Sequence, residues 1–454
     1  MLGFYHGLGH GPPCHLVTCA PMGTATATST TRPPTTVPTP AIRVHKYGGT
    51  SVGDHDRIRK VASRVQRVVE AGDRVVVTVS AMGRTTDHLI AAARDLHPRP
   101  DRRELDVLMA TGEQVSIALL TMALQAIGVR ARSFTGAQAG FLTDGHHGAA
   151  RILRVDPGPL RRALEEVDVC VVAGFQGVDE GGGITTFGRG GSDTTAVAIA
   201  AALGVDTCEI FTDTDGVFTT DPHLIPEARQ LAAVDYDVML ELAALGAEVL
   251  HPRSVWYGRR YGVTLHVRSS FNFQPGTLVR RVAPEEASVE TDRPVTGVAL
   301  DLQHARIDLF GVPDRPGVAA RIFRALADAG VAADMIIQGV RGAGDSRQQM
   351  AFTVPRDRAD EAMEAVAPLL RSLGGRADLD LEVAKVSIVG IAIGSTPGIA
   401  ARMFDAVASV GANIEMIATS EVRVSVLIPA ASAQDALRAV HSAFGLDREG
   451  PAGA

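Results

Sequence analysis

Thr185-Thr186-Phe187-Gly188-Arg189-Gly190-Gly191-Ser192-Asp193-Thr194-Thr195 is a glycine loop set between a β-type run and an alanine-rich helical stretch at 196–203. A strand that empties through such a loop onto a helix presents free backbone N–H groups, which favour an anion. Ser192 is placed to cap that helix. Arg189 and Asp193 then share the carboxyl end of a strand, where ligands bind in parallel α/β sheets. A turn with a purely structural role needs neither so many glycines nor the arginine.

Two further segments follow β-type runs in the same way. Lys46-Tyr47-Gly48-Gly49-Thr50-Ser51-Val52-Gly53 leads into a helix expected to begin near Asp56. Its glycines admit a phosphate chain close to the backbone and its lysine supplies a point charge. The lysine precedes the glycines, so this is not a P-loop. A turn with a solvated lysine is the bland alternative. Thr212-Asp213-Thr214-Asp215-Gly216-Val217-Phe218-Thr219-Thr220-Asp221-Pro222 carries paired carboxylates. Those suit a nucleotide ribose or Mg²⁺, and suit turn formation equally well.

Around these loops, runs at 42–47, 74–80, 168–175, 207–212 and 263–268 read as strands. Ile58, Val61, Ala62, Val65, Val68 and Val69 fall at helical spacing between the first two. Strands alternating with helices imply a mostly parallel sheet covered on both faces. The C-terminal third holds a repeat. Stretches 306–339 and 385–420 share a strand, a Pro-Gly loop, a helix and a second strand. Pro316/Pro397, Gly317/Gly398, Arg321/Arg402, Phe323/Phe404, Gly330/Gly411, Met335/Met416 and Ile336/Ile417 keep one constant offset. Two copies of one small α+β module follow. The expected organisation is a disordered extension at 1–40, a catalytic domain at 41–281 and a polar linker at 282–294. The two modules then occupy 295–375 and 376–446, before a disordered tail at 447–454.

At 454 residues, with 46% hydrophobic and 21% charged, the chain has an ordinary globular composition with room for two or three domains. Aromatics reach only 4%, so Ala, Val, Leu and Ile must fill the cores. A formal charge of -7 argues against nucleic acid as a partner. Cys170 and Cys208 lie in apolar runs and read as core residues. Cys14 and Cys19 stand near His10 and His15, but no second ligand pair follows at zinc-site spacing, so no metal site is expected. No apolar run approaches the roughly 20 residues that span a bilayer, and the first 40 residues lack the pattern of a signal peptide. Neither a membrane association nor a location outside the cytoplasm is expected.

The lysine loop, Ser80-Ala81-Met82-Gly83-Arg84-Thr85-Thr86-Asp87, Thr111-Gly112-Glu113, the Arg189 loop and Leu250-His251-Pro252-Arg253-Ser254 occur in the order seen in the aspartate kinases. The C-terminal repeat resembles the paired ACT modules of that family. The resemblance spans about residues 42–446. It implies an amino-acid-kinase-type three-layer αβα sandwich with a mostly parallel sheet, followed by two ferredoxin-like α+β ACT modules. It further implies ATP and Mg²⁺ as cofactors, L-aspartate as substrate, and lysine or threonine as effector of a homo-oligomer joined through its ACT modules.

By resemblance, Lys46, Asp193 and Ser80 serve the transferring phosphoryl group. Lys46, Tyr47, Gly48, Gly49, Ser80, Thr212, Asp213, Val217, Phe218 and Asp221 border ATP. Thr85, Thr86, Glu113, Arg189, Gly190, Gly191 and Ser192 hold the substrate, with Glu113 on its ammonium and Arg189 on its α-carboxylate. Asp314, Gln338, Asn413, Ile414 and Thr419 line the effector site. Three positions depart from the family pattern: Glu248 and His223 replace the usual Lys and Arg near the nucleotide, and Trp256 replaces a common Glu. The first two support an alternative, a catalytically weak protein that senses lysine or threonine.

Overall fold

The computed structural model describes residues 40–246, 249–282, 294–339 and 347–448. The extension before residue 40, nearly all of the linker, the end of the tail and Glu248 lie outside the described residues.

The catalytic part runs β1 (Ile42–Tyr47), α1 (His55–Glu70), β2 (Arg74–Val79), α2 (Thr85–Leu96), α3 (Arg102–Ala126), β3 (Ala131–Phe134), β4 (Phe141–Thr143) and β5 (Ile152–Val155). It continues through α4 (Gly158–Glu166), β6 (Val169–Ala173), β7 (Gln176–Val178), β8 (Ile184–Thr186), α5 (Gly191–Leu203) and β9 (Thr207–Thr212). It closes with β10 (Ala233–Val234), α6 (Tyr236–Ala244), α7 (Pro252–Tyr261), β11 (Thr264–Ser269) and β12 (Thr277–Val279). The main sheet has the order β10-β12-β11-β9-β1-β2-β6-β3, with β11–β12 its antiparallel pair. A smaller sheet, β5-β4-β7-β8, carries the Arg189 loop on its last strand.

The central strands are apolar on both faces, as a doubly covered parallel sheet requires. Val44, Cys208 and Ile210 pack with α5, α6 and α7, while Val75, Val77 and Phe211 pack with α1 and α3. Helix α5 is buried almost all round, which is why its sequence has no polar stripe. Asp54 caps α1 by accepting the Arg57 N–H, so the helix begins at His55, one residue ahead of the expected start. Helix α3 differs from expectation: it is long and apolar enough to cross a membrane. Half of its most apolar window is buried in this fold, against α1, β3 and β6.

The C-terminal part runs β13 (Val295–Asp301), β14 (His304–Pro313), α8 (Val318–Asp328), β15 (Ile336–Gln338), β16 (Arg347–Pro355), α9 (Ala359–Ser372) and β17 (Arg376–Asp380). Then come β18 (Val383–Gly390), α10 (Ile399–Ser409), β19 (Met416–Thr419), β20 (Arg423–Pro429) and α11 (Ala433–Ala443). The repeat is visible as two four-stranded antiparallel sheets, β15-β16-β14-β17 and β13-β18-β20-β19. The sheets do not follow a serial division at 375/376. β17 pairs with β14 of the first module, and β13 pairs with β18 of the second. The first module, 304–380, is thus inserted into the second. The physical reason lies in β18, whose free edge is covered by β13 because no described strand follows α11.

Lys385, 2% exposed, joins the two modules by reaching Asp334 of the first, 3.0 Å away, while it also pairs with Asp301 of its own sheet at 3.4 Å. Arg306 of β14 binds Glu415 of the second module. Between these ion pairs Met335, Val383, Met416 and Leu427 form a shared apolar cluster.

Candidate active site

The loops singled out in the sequence converge at the carboxyl ends of β1, β2, β6 and β9. Lys46 reaches across β1 to the first turn of α5, where its Nζ lies 2.5 Å from Asp193 Oδ1. Both residues are more than nine-tenths buried, at 9% and 8% exposed. Two charges so enclosed persist only as a pair.

Gly190 opens α5 with φ +67, the left-handed region. A β-carbon there would lie 2.1 Å from His251, so glycine is needed for both conformation and space. Gly191 lies against Phe175 and Phe187, and Ser192 against Gly174. Ser192 is 7% exposed but makes no side-chain cap, contrary to the expectation for this helix start. Helix geometry leaves it among the core-facing positions instead. Arg189 is exposed and forms no hydrogen bond or ion pair with the described residues, so its fork stands open to a carboxylate.

Glu113, on α3, accepts the Ala81 N–H at 3.0 Å through Oε1, and its Oε2 has no partner among the described residues. Burial pushes its carboxyl up to about 7. Thr85 and Thr86 open α2 nearby, half-buried, with Thr85 Oγ1 donating to the Met82 carbonyl at 2.6 Å. The lysine loop meets the Ser80 loop closely: a β-carbon on Gly49 would stand 2.8 Å from the Ala81 carbonyl. Gly48 donates to the Phe211 carbonyl and Ser80 to the Tyr47 carbonyl. Tyr47 itself is 0% exposed, with its ring stacked on Phe211 at 4.7 Å. Its ring therefore belongs to the core, and its backbone is what borders the loops.

The carboxylates after β9 divide. Asp213 is exposed and accepts from the Thr212 hydroxyl at 3.1 Å. Asp215 accepts from Asn272 at 2.7 Å and builds the turn. Val217 is 1% exposed, with its N–H given to Thr277, so its side chain belongs to the core. Phe218 is half-buried beside Gln230. Asp221 is exposed and caps its own turn through the His223 N–H at 2.8 Å. His223 and Trp256 are both exposed.

Four residues had no assigned role in the sequence reading. Phe175 holds φ +69 without being glycine, and its carbonyl accepts the Phe187 N–H. Such strain collects at functional loops. Asp106, 0% exposed, accepts from the Thr186 hydroxyl at 2.5 Å, the Gly148 N–H and His147. Arg253 donates to the Phe187 and Ala150 carbonyls at 2.9 and 2.8 Å. Together Asp106 and Arg253 hold the Arg189 loop from both sides, while His251 backs Gly190. Asp106 stands two helical turns before Glu113 on one face of α3, the spacing that would have signalled it.

The expected effector residues separate. Asp314 and Gln338 line a cavity of about 360 Å³ with Pro316, Gly317 and Met350 of the first module. Asn413, Ile414 and Thr419 belong to the second module and line no part of that cavity.

Residues 41–269 match the amino acid kinase family, and residues 308–368 and 386–444 match the ACT domain. An aspartokinase from Thermus thermophilus is 63% identical over 408 residues, covering 90% of this chain and 100% of that one. Another, from Mycolicibacterium smegmatis, is 49% identical over 408 residues, covering 89% and 96%. Among solved structures, the aspartate kinase from Synechocystis aligns with a TM-score of 0.50 and 46% identity, covering 91% of this chain and 71% of that one. Escherichia coli aspartokinase III in complex with aspartate and ADP aligns with a TM-score of 0.72 over 89% and 99%; at 23% identity this speaks to the fold alone.

Proposed function

The chain belongs to the aspartokinases of the amino acid kinase family, and from that premise we propose that it converts ATP and L-aspartate into ADP and 4-phospho-L-aspartate, the entry to lysine, threonine and methionine. A β-carboxylate oxygen attacks the γ-phosphorus, a new P–O bond forms, and the bond to the β-phosphate oxygen breaks. The nucleophile is ionised at neutral pH, since its usual pKa is about 3.9, so no general base is needed. The obstacle is the approach of two anions, met by positive charge and alignment.

The observation that carries this reading is the enclosed Lys46–Asp193 pair at the head of α5. Lys46 turns to the phosphates as they arrive, with Asp193 fixing its ammonium. The Gly48 and Ser80 N–H groups are taken by the Phe211 and Tyr47 carbonyls and hold the lysine loop and the Ser80 loop beside the same point. Arg189 takes the α-carboxylate and Glu113 the ammonium, with Thr85, Thr86, Gly190, Gly191 and Ser192 shaping the pocket. Thr212, Asp213, Phe218 and Asp221 border the nucleoside.

Among the described residues, no group of three or more His, Cys, Asp or Glu side chains could hold a metal ion. Mg²⁺ therefore fits as a partner of the ATP phosphates, which bind it with water and few protein ligands. It offsets phosphate charge there.

The ACT modules support feedback by lysine or threonine in the Asp314–Gln338 cavity. Aspartokinase III of E. coli has been solved with lysine and aspartate. Ile336 and Ile417, at equivalent positions of the edge strands β15 and β19, are 53% and 42% exposed. Pairing of these edges between copies would bring Asn413, Ile414 and Thr419 to the partner's cavity and make a homo-oligomer. The proposed place of action is the cytoplasm.

Aspartate-dependent ADP release, with the acyl phosphate trapped by hydroxylamine, tests the reaction. It is repeated with lysine, threonine and both. Absence of turnover at saturating ATP, Mg²⁺ and aspartate overturns the reading in favour of an amino-acid sensor.

A further inference from the structure

The segment after β9 leaves the catalytic sheet and enters the second ACT module. Ile225, 2% exposed, is part of that module's apolar core with Val295, Val298, Val386 and Val424. Thr219 is 1% exposed and lies one residue past Phe218. Its carbonyl accepts the Val298 N–H of β13 at 2.8 Å. Its hydroxyl oxygen accepts the Arg229 N–H at 3.0 Å and shares a second hydrogen bond with His441 Nε2 at 2.9 Å. His441 is 1% exposed and sits on α11. Arg229 in turn donates through Nε to the Leu446 carbonyl at 2.9 Å. From 219 to 229, then, this loop is fastened to the second module by a backbone carbonyl at one end, an apolar side chain in the middle and a guanidinium at the other end.

We propose that His441 of the second ACT module is a positioning residue for the nucleotide: through Thr219 it fixes the loop that carries Phe218 and Asp221. The inference rests on the assignment of that loop to ATP. The catalytic part does not hold the loop alone. Gln230 and Thr277 secure its base through the Asp215 and Leu231 carbonyls, but Thr219, Ile225 and Arg229 find their buried partners in the other module. A shift of α11 or β13 by a fraction of an ångström breaks short buried bonds, because packed interiors do not deform continuously. Nucleotide affinity is the quantity such a shift changes, since Arg189 and Glu113 are held by α3, α5 and β8.

The test uses the full chain with Thr219→Val, His441→Leu, the double variant, and His441→Gln, whose amide can still meet the hydroxyl. KM for ATP, KM for aspartate and kcat are measured, together with the Kd of ADP by calorimetry. Thr219→Val and His441→Leu are each expected to raise the KM for ATP and the Kd of ADP about tenfold, the scale of one lost buried hydrogen bond. The KM for aspartate should stay within about twofold under the same loss. The double variant should be no worse than Thr219→Val, which already removes the bond shared with His441 together with the acceptor of the Arg229 N–H. His441→Gln should restore most of the affinity. Unchanged ADP affinity in folded single variants, or equal losses in every parameter with no recovery in His441→Gln, overturns the proposal. Should the parent chain fail to turn over aspartate, the kinase reading falls, and the ADP measurements still decide the role of His441.

Discussion

Under the proposed assignment of Glu113 to the substrate ammonium, a single buried carboxyl would link substrate binding to pH. Burial raises its pKa from an ordinary 4.5 to about 7, so the free protein binds a proton there that the unfolded chain releases. The resulting stability is fully present below pH 4.5 and is lost as pH rises through 7. An arriving ammonium reverses that preference by pairing with the ionised form. Aspartate affinity is therefore expected to fall as pH drops through 7, approaching about tenfold per pH unit on the acid side. Measurement of the KM for aspartate from pH 6 to 8 checks this. Glu113→Gln should lose that slope and raise the KM about tenfold or more at pH 8, since a charge-assisted hydrogen bond is gone. Arg189→Lys should also weaken aspartate about tenfold, because a point charge replaces a two-pronged fork.

At the level of elements, the head of α5 is where geometry and chemistry coincide. Gly190 must be left-handed and must leave room for His251. Gly190→Ala is expected to destabilise the fold by about 2 kcal/mol or more, combining left-handed strain with overlap. Urea denaturation reads the stability, and an ADP-release assay should show aspartate turnover falling further than the folded fraction does. The asymmetry of Asp213 and Asp215 is an element-scale effect too. They are two residues apart, yet one builds a turn with Asn272 and the other faces solvent.

At the scale of the molecule, the inserted first module makes the two ACT units interdependent. Burial alone would raise the carboxyl of Asp301, but His304 and Lys385 outweigh it and hold its pKa below the usual range. Asp334 is lowered as well, against its own burial, chiefly by Lys385. Removing that cation leaves two carboxylates beside each other. Lys385→Ala is expected to cost about 3 kcal/mol at pH 7, the loss typical of breaking one partner from a buried ionic cluster. Stability held by lowered carboxyl pKa values is present above the unfolded pKa and fades as pH falls through the folded one. The deficit of the variant should accordingly shrink only as pH falls below 3.8, as chemical denaturation at about pH 7 and about pH 3 would register.

Local patterns were sufficient for the sequence to determine the parallel sheet, the glycine loops and the repeat. Alternating strand and helix periods and clustered glycines are properties of short stretches of chain, and the repeat shows as the constant offset shared by Gly317/Gly398 and its fellow pairs. Lys46, Asp193 and Arg189 stand out by residue type and by their place at the glycine loops, whereas Glu113, inside α3, is singled out only by the family resemblance. Tertiary structure alone decided the rest. Tyr47 turned its ring into the core because side chains alternate along β1, and packing against Phe211 fills that face. Asp106, Phe175 and Arg253 acquired meaning only when distant segments closed around the Arg189 loop. The exchange of β13 and β17 between modules is invisible to a repeat, since a constant offset records similarity and not strand partners. The same holds for Thr219 and His441, which are 222 residues apart and meet only because β13 brings the second module against the loop.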